Sequence, residues 1–146
     1  MFDWIHQHIT SLLVFCPLLF CLLNLFLKDL KTVKIFSLFG SFLTFLFSCH
    51  IWFYFDETHS RLQFVEQYSW IKTFGISYFV GVDGLNLLLL MLSTFLTPLV
   101  LISLWDKKED TSPKGLISLI LALESGMLGA LVAFDLVFFY VFWEAM

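Results

Sequence analysis

Charged side chains are scarce in this sequence, 14% of 146 residues, against about 25% in soluble domains. Apolar residues make up 60%, nineteen of the aromatics are phenylalanine, and the mean hydropathy is +0.90. A water-soluble core of this length could not hide so much apolar side chain, which excludes a soluble enzyme and makes the bilayer the natural solvent. Cysteine is scarce too. Cys16, Cys21 and Cys49 lie within apolar runs and form no CxxC or Cys/His ligand set, so neither a disulfide framework nor a zinc site is implied. The first ten residues hold no Lys or Arg and no small-residue cleavage site follows, which excludes a signal peptide. No nucleotide-binding or metal-binding motif appears.

What is present is a series of long apolar runs. Residues 9–27 cover about 28 Å as a helix, enough for a hydrocarbon core of about 30 Å, and Pro17 should bend this span. A second run, 35–55, closes on Trp52 and Tyr54, rings suited to the headgroup level, and His50 near that end reads as an interfacial hydrogen-bonding group. Residues 56–82 form the one long polar segment, extramembrane, in which residues 62–68 partly alternate and Gly75 marks a turn. A short hairpin or a surface-lying segment fits that pattern. Asp83 stands where an N-cap belongs. A third run, 85–105, is interrupted by Thr94, Thr97 and Pro98, where a kink is expected with the threonine hydroxyls as local substitutes. After the charged loop 106–114 a fourth run covers 115–134, Asp135 marks a tight turn, and a fifth begins at Leu136. The expected fold is an all-α membrane protein, a polytopic transmembrane helix bundle forming a single membrane domain, with four helices and the first half of a fifth (136–146). Lys28, Lys31, Lys34, Lys107, Lys108 and Lys114 gather on one face, Arg61 and Lys72 on the other. The positive-inside rule then places the N-terminus outside.

Two carboxylates lie inside these runs. Glu124 is about 15 Å into the fourth helix, and Glu144, nine residues past Asp135, is about 13 Å deep in the fifth. An ionisable side chain at such depth is costly and is a functional-site hypothesis by default. A carboxyl whose pKa is raised toward neutrality can take up and release a proton, and a movable cation would pull that pKa down again. No lysine here lies inside an apolar run, so such a partner belongs to other sequence. Two readings stay open for each acid: a proton relay, or a permanently neutral group that hydrogen-bonds a neighbouring helix. In the fourth helix Ala122, Gly126, Gly129, Ala130 and Ala133 form a small-residue stripe suited to close helix contact, and Glu124 lies about 200° around from Ala122 and Gly126. A helix enclosed on both sides implies a bundle larger than four and a half helices.

The stretches YFVGVDGLNLLLLMLSTFLTPLVLISLW (78–105) and LESGMLGALVAFDLVFFYVFWEAM (123–146) resemble the subunit M family of proton-pumping NADH:quinone oxidoreductase, whose mitochondrial counterpart is subunit 4 of respiratory complex I. The likeness covers residues 78–146 well and the earlier helices in layout only. It implies an antiporter-like membrane-arm subunit that conducts protons, with other membrane-arm subunits and the lipid bilayer as partners. It implies no cofactor bound by this chain, since NADH, flavin, iron–sulfur clusters and quinone belong to other subunits. Glu144 matches the family's essential fifth-helix glutamate, which pairs with a lysine on a later helix, and Glu124 is a candidate auxiliary acid. The family pattern would continue beyond Met146, so a fragment that lacks the C-terminal remainder of the subunit is expected. The expected membrane is the bacterial plasma membrane, with the mitochondrial inner membrane as the alternative. A multi-chain cation/proton antiporter or a membrane-bound hydrogenase shares the fold, and a non-transporting structural fragment is a further alternative.

Overall fold

Asp29 begins the longest helix. Its carboxylate accepts from the Thr32 backbone N–H at 2.9 Å and from the Thr32 hydroxyl at 2.7 Å, the N-cap geometry that satisfies an otherwise orphaned donor. The pair of bonds from Thr32 holds the Asp29 carboxyl below the usual carboxylate range. The computed structural model describes residues 6–58, 61–105 and 113–146. Its elements in order are α1 (Ile9–Phe26), α2 (Leu30–Tyr54), β1 (Gln63–Ile71), a 3₁₀ turn (Lys72–Phe74), β2 (Ile76–Val82), α3 (Gly84–Ser103), α4 (Pro113–Val132) and α5 (Leu136–Ala145). The four helices α1 to α4 are each long and apolar enough to cross a membrane, and α5 is a shorter apolar helix. This is a multi-pass helical membrane protein with a small hairpin on one face. The charged loop with Lys107 and Lys108 lies outside the described residues, as do Trp4 and His59.

The second helix starts at Leu30, five residues before the expected position, because the Asp29 cap carries Lys31 and Lys34 into helical structure. Lys34 is not wasted there. Its ammonium donates to the carbonyl of Trp105 at 2.7 Å, and Lys114 does the same to the carbonyl of Leu27. Two lysines thus satisfy carbonyls at the ends of neighbouring helices, where a positive charge also complements the helix dipole.

The bundle is inverted relative to a soluble one. The buried face of α2 is Val33, Ser37, Gly40, Ser41, Thr44, Ser48 and Ile51, while Phe39, Phe42, Leu46 and Phe53 point outward. Lipid gives no hydrophobic reason to hide phenylalanine, so the interior takes the small and hydroxyl residues that let helices approach. Gly40 shows how closely: a β-carbon there would stand 2.4 Å from the Phe20 ring of α1. The two prolines sit inside continuous helices, Pro17 in α1 and Pro98 in α3. The threonine hydroxyls near Pro98 do not substitute at the Thr94 carbonyl; Thr94 donates to Leu90 and Thr97 to Ser93.

The polar segment folds as the hairpin. β1 and β2 pair antiparallel with Tyr68 opposite Tyr78 and Ile71 opposite Ile76, and with irregularities between 63 and 66 and between 69 and 71. The turn closes on Gly75 at φ 66°, the left-handed region that a β-carbon disfavours. The otherwise all-helical fold therefore carries a two-stranded sheet, the hairpin alternative for residues 62–68 taken up through β1. Asp83 caps α3 by accepting from Leu85 and Asn86, and the Asn86 side chain accepts in return from the Asp83 N–H, completing a capping box.

The helix α4 is central, packing against α1, α2, α3 and α5. Its small-residue stripe receives α5: Gly126 lies against Met146, and a β-carbon on Gly129 would come within 2.3 Å of the Phe142 ring. Gly129→Val should accordingly cost about 1–3 kcal/mol through overpacking. Thermal unfolding in detergent checks it, and an unchanged midpoint would mean that α5 packs elsewhere.

Candidate functional site

The α4 backbone delivers Glu124 to the middle of the bundle. The residue is 1% exposed, eleven residues from the start of the helix, or about 16 Å in. Polar side chains of α1 and α3 come close to it at this level. Cys16 of α1 is close enough to interact electrostatically and is hydrogen-bonded to Thr44 of α2, and the Thr97 side chain of α3 lies beside the carboxyl. The Thr97 hydroxyl is directed to the Ser93 carbonyl at 3.1 Å. Among the described residues neither Glu124 oxygen closes a hydrogen bond of ordinary geometry. A carboxyl so placed is costly when ionised, because among the described residues nothing adjacent to it is cationic.

Glu144 is placed differently. It lies on the exposed side of α5, beside the exposed Tyr140, Val141 and Trp143, and interacts with the Tyr140 hydroxyl one turn earlier. The two acids are near one another in depth but do not face each other. Met146 packs on Gly126, so on antiparallel helices Glu124 and Glu144 are each two residues from that contact, in opposite directions, about 6 Å apart along the bundle axis. Glu124 points into α1–α4, and Glu144 points away from it.

Asp135 fixes where α5 begins. Its carboxylate caps the helix by accepting from Val137 at 3.0 Å and Phe138 at 3.2 Å, and it also accepts from the N–H and hydroxyl of Ser77 on β2. The Ser77 backbone bond, with smaller help from Phe138 and Val137, holds the Asp135 carboxyl below its ordinary range. A depressed folded value contributes stability that is complete above the unfolded value of about 3.9 and is lost as pH falls through the folded one. Hydrogen exchange at Ser77, Val137 and Phe138 should therefore accelerate below about pH 4, beyond the intrinsic pH trend. In Asp135→Asn that extra pH dependence should vanish; if it persisted, another group would hold the clasp.

A second cluster escaped sequence reasoning. Glu66 of β1 is 4% exposed. It accepts from the Ser11 backbone N–H at 2.8 Å, from the Ser11 hydroxyl at 2.7 Å, and lies 3.2 Å from Nδ1 of His8. The Ser11 hydroxyl in turn shares a 2.5 Å hydrogen bond with Tyr78, whose phenol is pushed up to about 12, mainly by burial. The partners are 55 to 67 residues apart in sequence, so no local pattern reveals them. His50 meets His6 at 3.4 Å near the same end of the bundle. Among the described residues no group of three His, Cys, Asp or Glu converges as a metal site.

Buried carboxylate, proline-containing spans, small-residue helix contacts and a hairpin at one end together define a multi-pass helical membrane bundle. The comparisons with known proteins give the family. The chain is 35% identical over 136 residues to the F(420)H(2) dehydrogenase subunit M of Methanosarcina mazei, covering 93% of this chain and 27% of that one. It is 41% identical over 115 residues to the NADH-quinone oxidoreductase subunit M of Rhodobacter capsulatus, covering 79% and 22%. Among solved structures it matches a chain of respiratory complex I from Thermus thermophilus with bound NADH, at a TM-score of 0.74 and 25% identity, covering 93% of this chain and 26% of that chain. No family model matches. The chain belongs to the subunit M/chain 4 family of the NADH:quinone oxidoreductases, and it spans about a quarter of the length of the curated relatives it matches.

Proposed function

We propose that this chain serves in the membrane arm of a respiratory NADH:quinone oxidoreductase, where it carries protons across the bilayer while electrons move from donor to quinone in other subunits. The observation that carries this reading is the pair of acids at mid-depth, one enclosed by four helices and one presented on the open side of α5. A carboxyl enclosed in apolar surroundings favours its neutral form, and an approaching cation favours the charged form. Alternation between these two environments loads and unloads a proton. Glu144 is the relay acid in this scheme, since its exposed position leaves it reachable by a basic side chain from a further helix. Glu124 is the auxiliary acid. The chain binds no nicotinamide, flavin, iron–sulfur cluster or quinone itself. That division of labour draws support from the relatives, whose names give F(420)H(2), NADH and NAD(P)H as donors for complexes that share this kind of subunit. The chain sits in a bacterial plasma membrane with the lysine-bearing face on the cytoplasmic side and the hairpin outside, as its loop charges favour.

The test is proton pumping by the assembled complex that contains this sequence. Glu144→Gln keeps the shape and hydrogen-bonding capacity but cannot titrate. Donor-driven acidification should fall to background for this subunit's share while the complex still assembles. Undiminished pumping with normal assembly would remove Glu144 from the relay.

A further inference from the structure

The buried polar atoms are distributed unevenly along the bundle axis. Ser37, Ser41, Thr44 and Ser48 recur at four, three and four residues down the inward face of α2, each at most 1% exposed. Such a line serves close packing in many membrane helices, and alone it indicates nothing more. The pairing of atoms around it does. Toward the hairpin, Ser48 shares a 2.7 Å bond with Thr94, Ser125 donates to the Val14 carbonyl at 2.7 Å, and Asn86 donates to the Leu131 carbonyl at 3.1 Å. Toward the lysines Ser37 accepts from Asn24, and Ser41 and Thr44 donate to carbonyls of their own helix, yet the pairing is incomplete. Among the described residues, the buried side-chain atoms with no partner are Oδ1 of Asn24, Oγ of Ser118 and both carboxyl oxygens of Glu124.

Helix arithmetic puts all of these on one side. Asn24 is two residues from the lysine-bearing end of α1 and Ser118 five residues into α4, about 3 and 8 Å deep, with Glu124 deepest at about 16 Å. Asn24 also begins the hydroxyl line, since its amide donates to Ser37 at 2.7 Å. Its mouth is polar: Lys114 donates to the carbonyls of Leu25 and Leu27, next to Asn24 in the chain. Beyond Glu124 in the other direction the interior is closed by Leu13, Ile51, Leu87, Leu90, Leu128 and Val132. The lysine-bearing end has an apolar cluster of its own around Phe20, Val33 and Leu101, but among the described residues the unpaired buried atoms, on Asn24, Ser118 and Glu124, run from this side to the level of Glu124. Buried polar groups without protein partners are satisfied by ordered water where two or more converge.

We infer that water occupies the interior of α1–α4 from Asn24 along Ser37, Ser41 and Thr44 to Glu124, so that Glu124 exchanges protons with the lysine-bearing face and is sealed from the hairpin face. Proton traffic along this file rests on the reading of Glu124 as the auxiliary acid; the water itself does not. Among the described residues, Cys16 is the titratable side chain that interacts with Glu124, and Lys114 is the charge at the mouth.

Thiol accessibility tests the file. In the full chain with Cys16, Cys21 and Cys49 replaced by alanine, reconstituted in oriented vesicles, single variants Ser41→Cys and Ser118→Cys are exposed to silver ion from the lysine-bearing side. They should lose free thiol roughly tenfold faster than Ser48→Cys and Ser125→Cys, because only a hydrated thiol reacts. Equal rates, or faster reaction from the hairpin side, would overturn the file. Where the cysteine-free chain fails to fold, infrared hydrogen–deuterium exchange of the Glu124 carboxyl band in the native chain, assigned by its loss in Glu124→Gln, gives the same answer. A band that resists exchange as long as the core amides sinks the proposal. Reactive thiols combined with undiminished pumping in Glu124→Gln would leave the water file standing and overturn the auxiliary-acid reading of Glu124 alone.

Discussion

Glu66→Ala should lower the stability of the detergent-solubilised chain by about 2–4 kcal/mol, from a lost helix cap and orphaned donors. The N-cap position of α1 is His8, whose side chain makes no cap bond within its own helix. The helix instead takes its acceptor from β1: Ser11, three residues past the cap, donates both its backbone N–H and its hydroxyl to Glu66. A carboxylate at a helix N-terminus is favourable twice, as acceptor and as charge against the dipole. Without it, the Ser11 donors lose their acceptor at a part-buried site. Glu66→Gln keeps an acceptor and should cost about half as much. His8→Ala should cost less than about 1 kcal/mol, since the His8 side chain is 30% exposed and its pairing is solvent-screened. Thermal unfolding read at the hairpin tryptophan, Trp70, orders the three. A result in which His8→Ala is the most damaging would mean that the ion pair holds the hairpin and the cap is secondary.

Glu124→Leu should move stability the other way, raising it by about 1–3 kcal/mol. The carboxyl is fully buried and its oxygens are unpartnered among the described residues. An apolar side chain of similar length removes that desolvation cost and leaves no donor stranded, because Thr97 already donates to the Ser93 carbonyl. Such a gain is the expected signature of a residue retained for what it does and not for what it holds together. Denaturant unfolding of Glu124→Leu beside Glu124→Gln decides it. If leucine destabilised the bundle more than glutamine, the acid would be serving the fold through a bonded network.

The spans, the cap at Asp83, the turn at Asp135 and the depth of the two acids were readable because each depends on neighbours a few residues away. Periodicity and capping are local. The early start of α2 was less visible, since Lys31 and Lys34 read as loop until Asp29 is seen to cap and Lys34 to reach Trp105. Which acid is enclosed could not be read, because depth along a helix says nothing about what stands beside it. Only the packing of α1, α2 and α3 on α4 separates Glu124 from Glu144. Glu66 was illegible for the same reason carried further. Its alternating strand context marks it as one more surface acid, and the partner that buries it is 55 residues away.

That separation has a consequence for biogenesis. Ser11 leaves the ribosome 55 residues before Glu66 does, and at about 5–20 residues per second this is roughly 3–11 s of synthesis. Through that interval the Ser11 donors of α1 lack the Glu66 acceptor and are left to water or lipid headgroups. Arrival of β1 supplies it. The first span is therefore completed after the second has been made, and the order of insertion is not the order of folding.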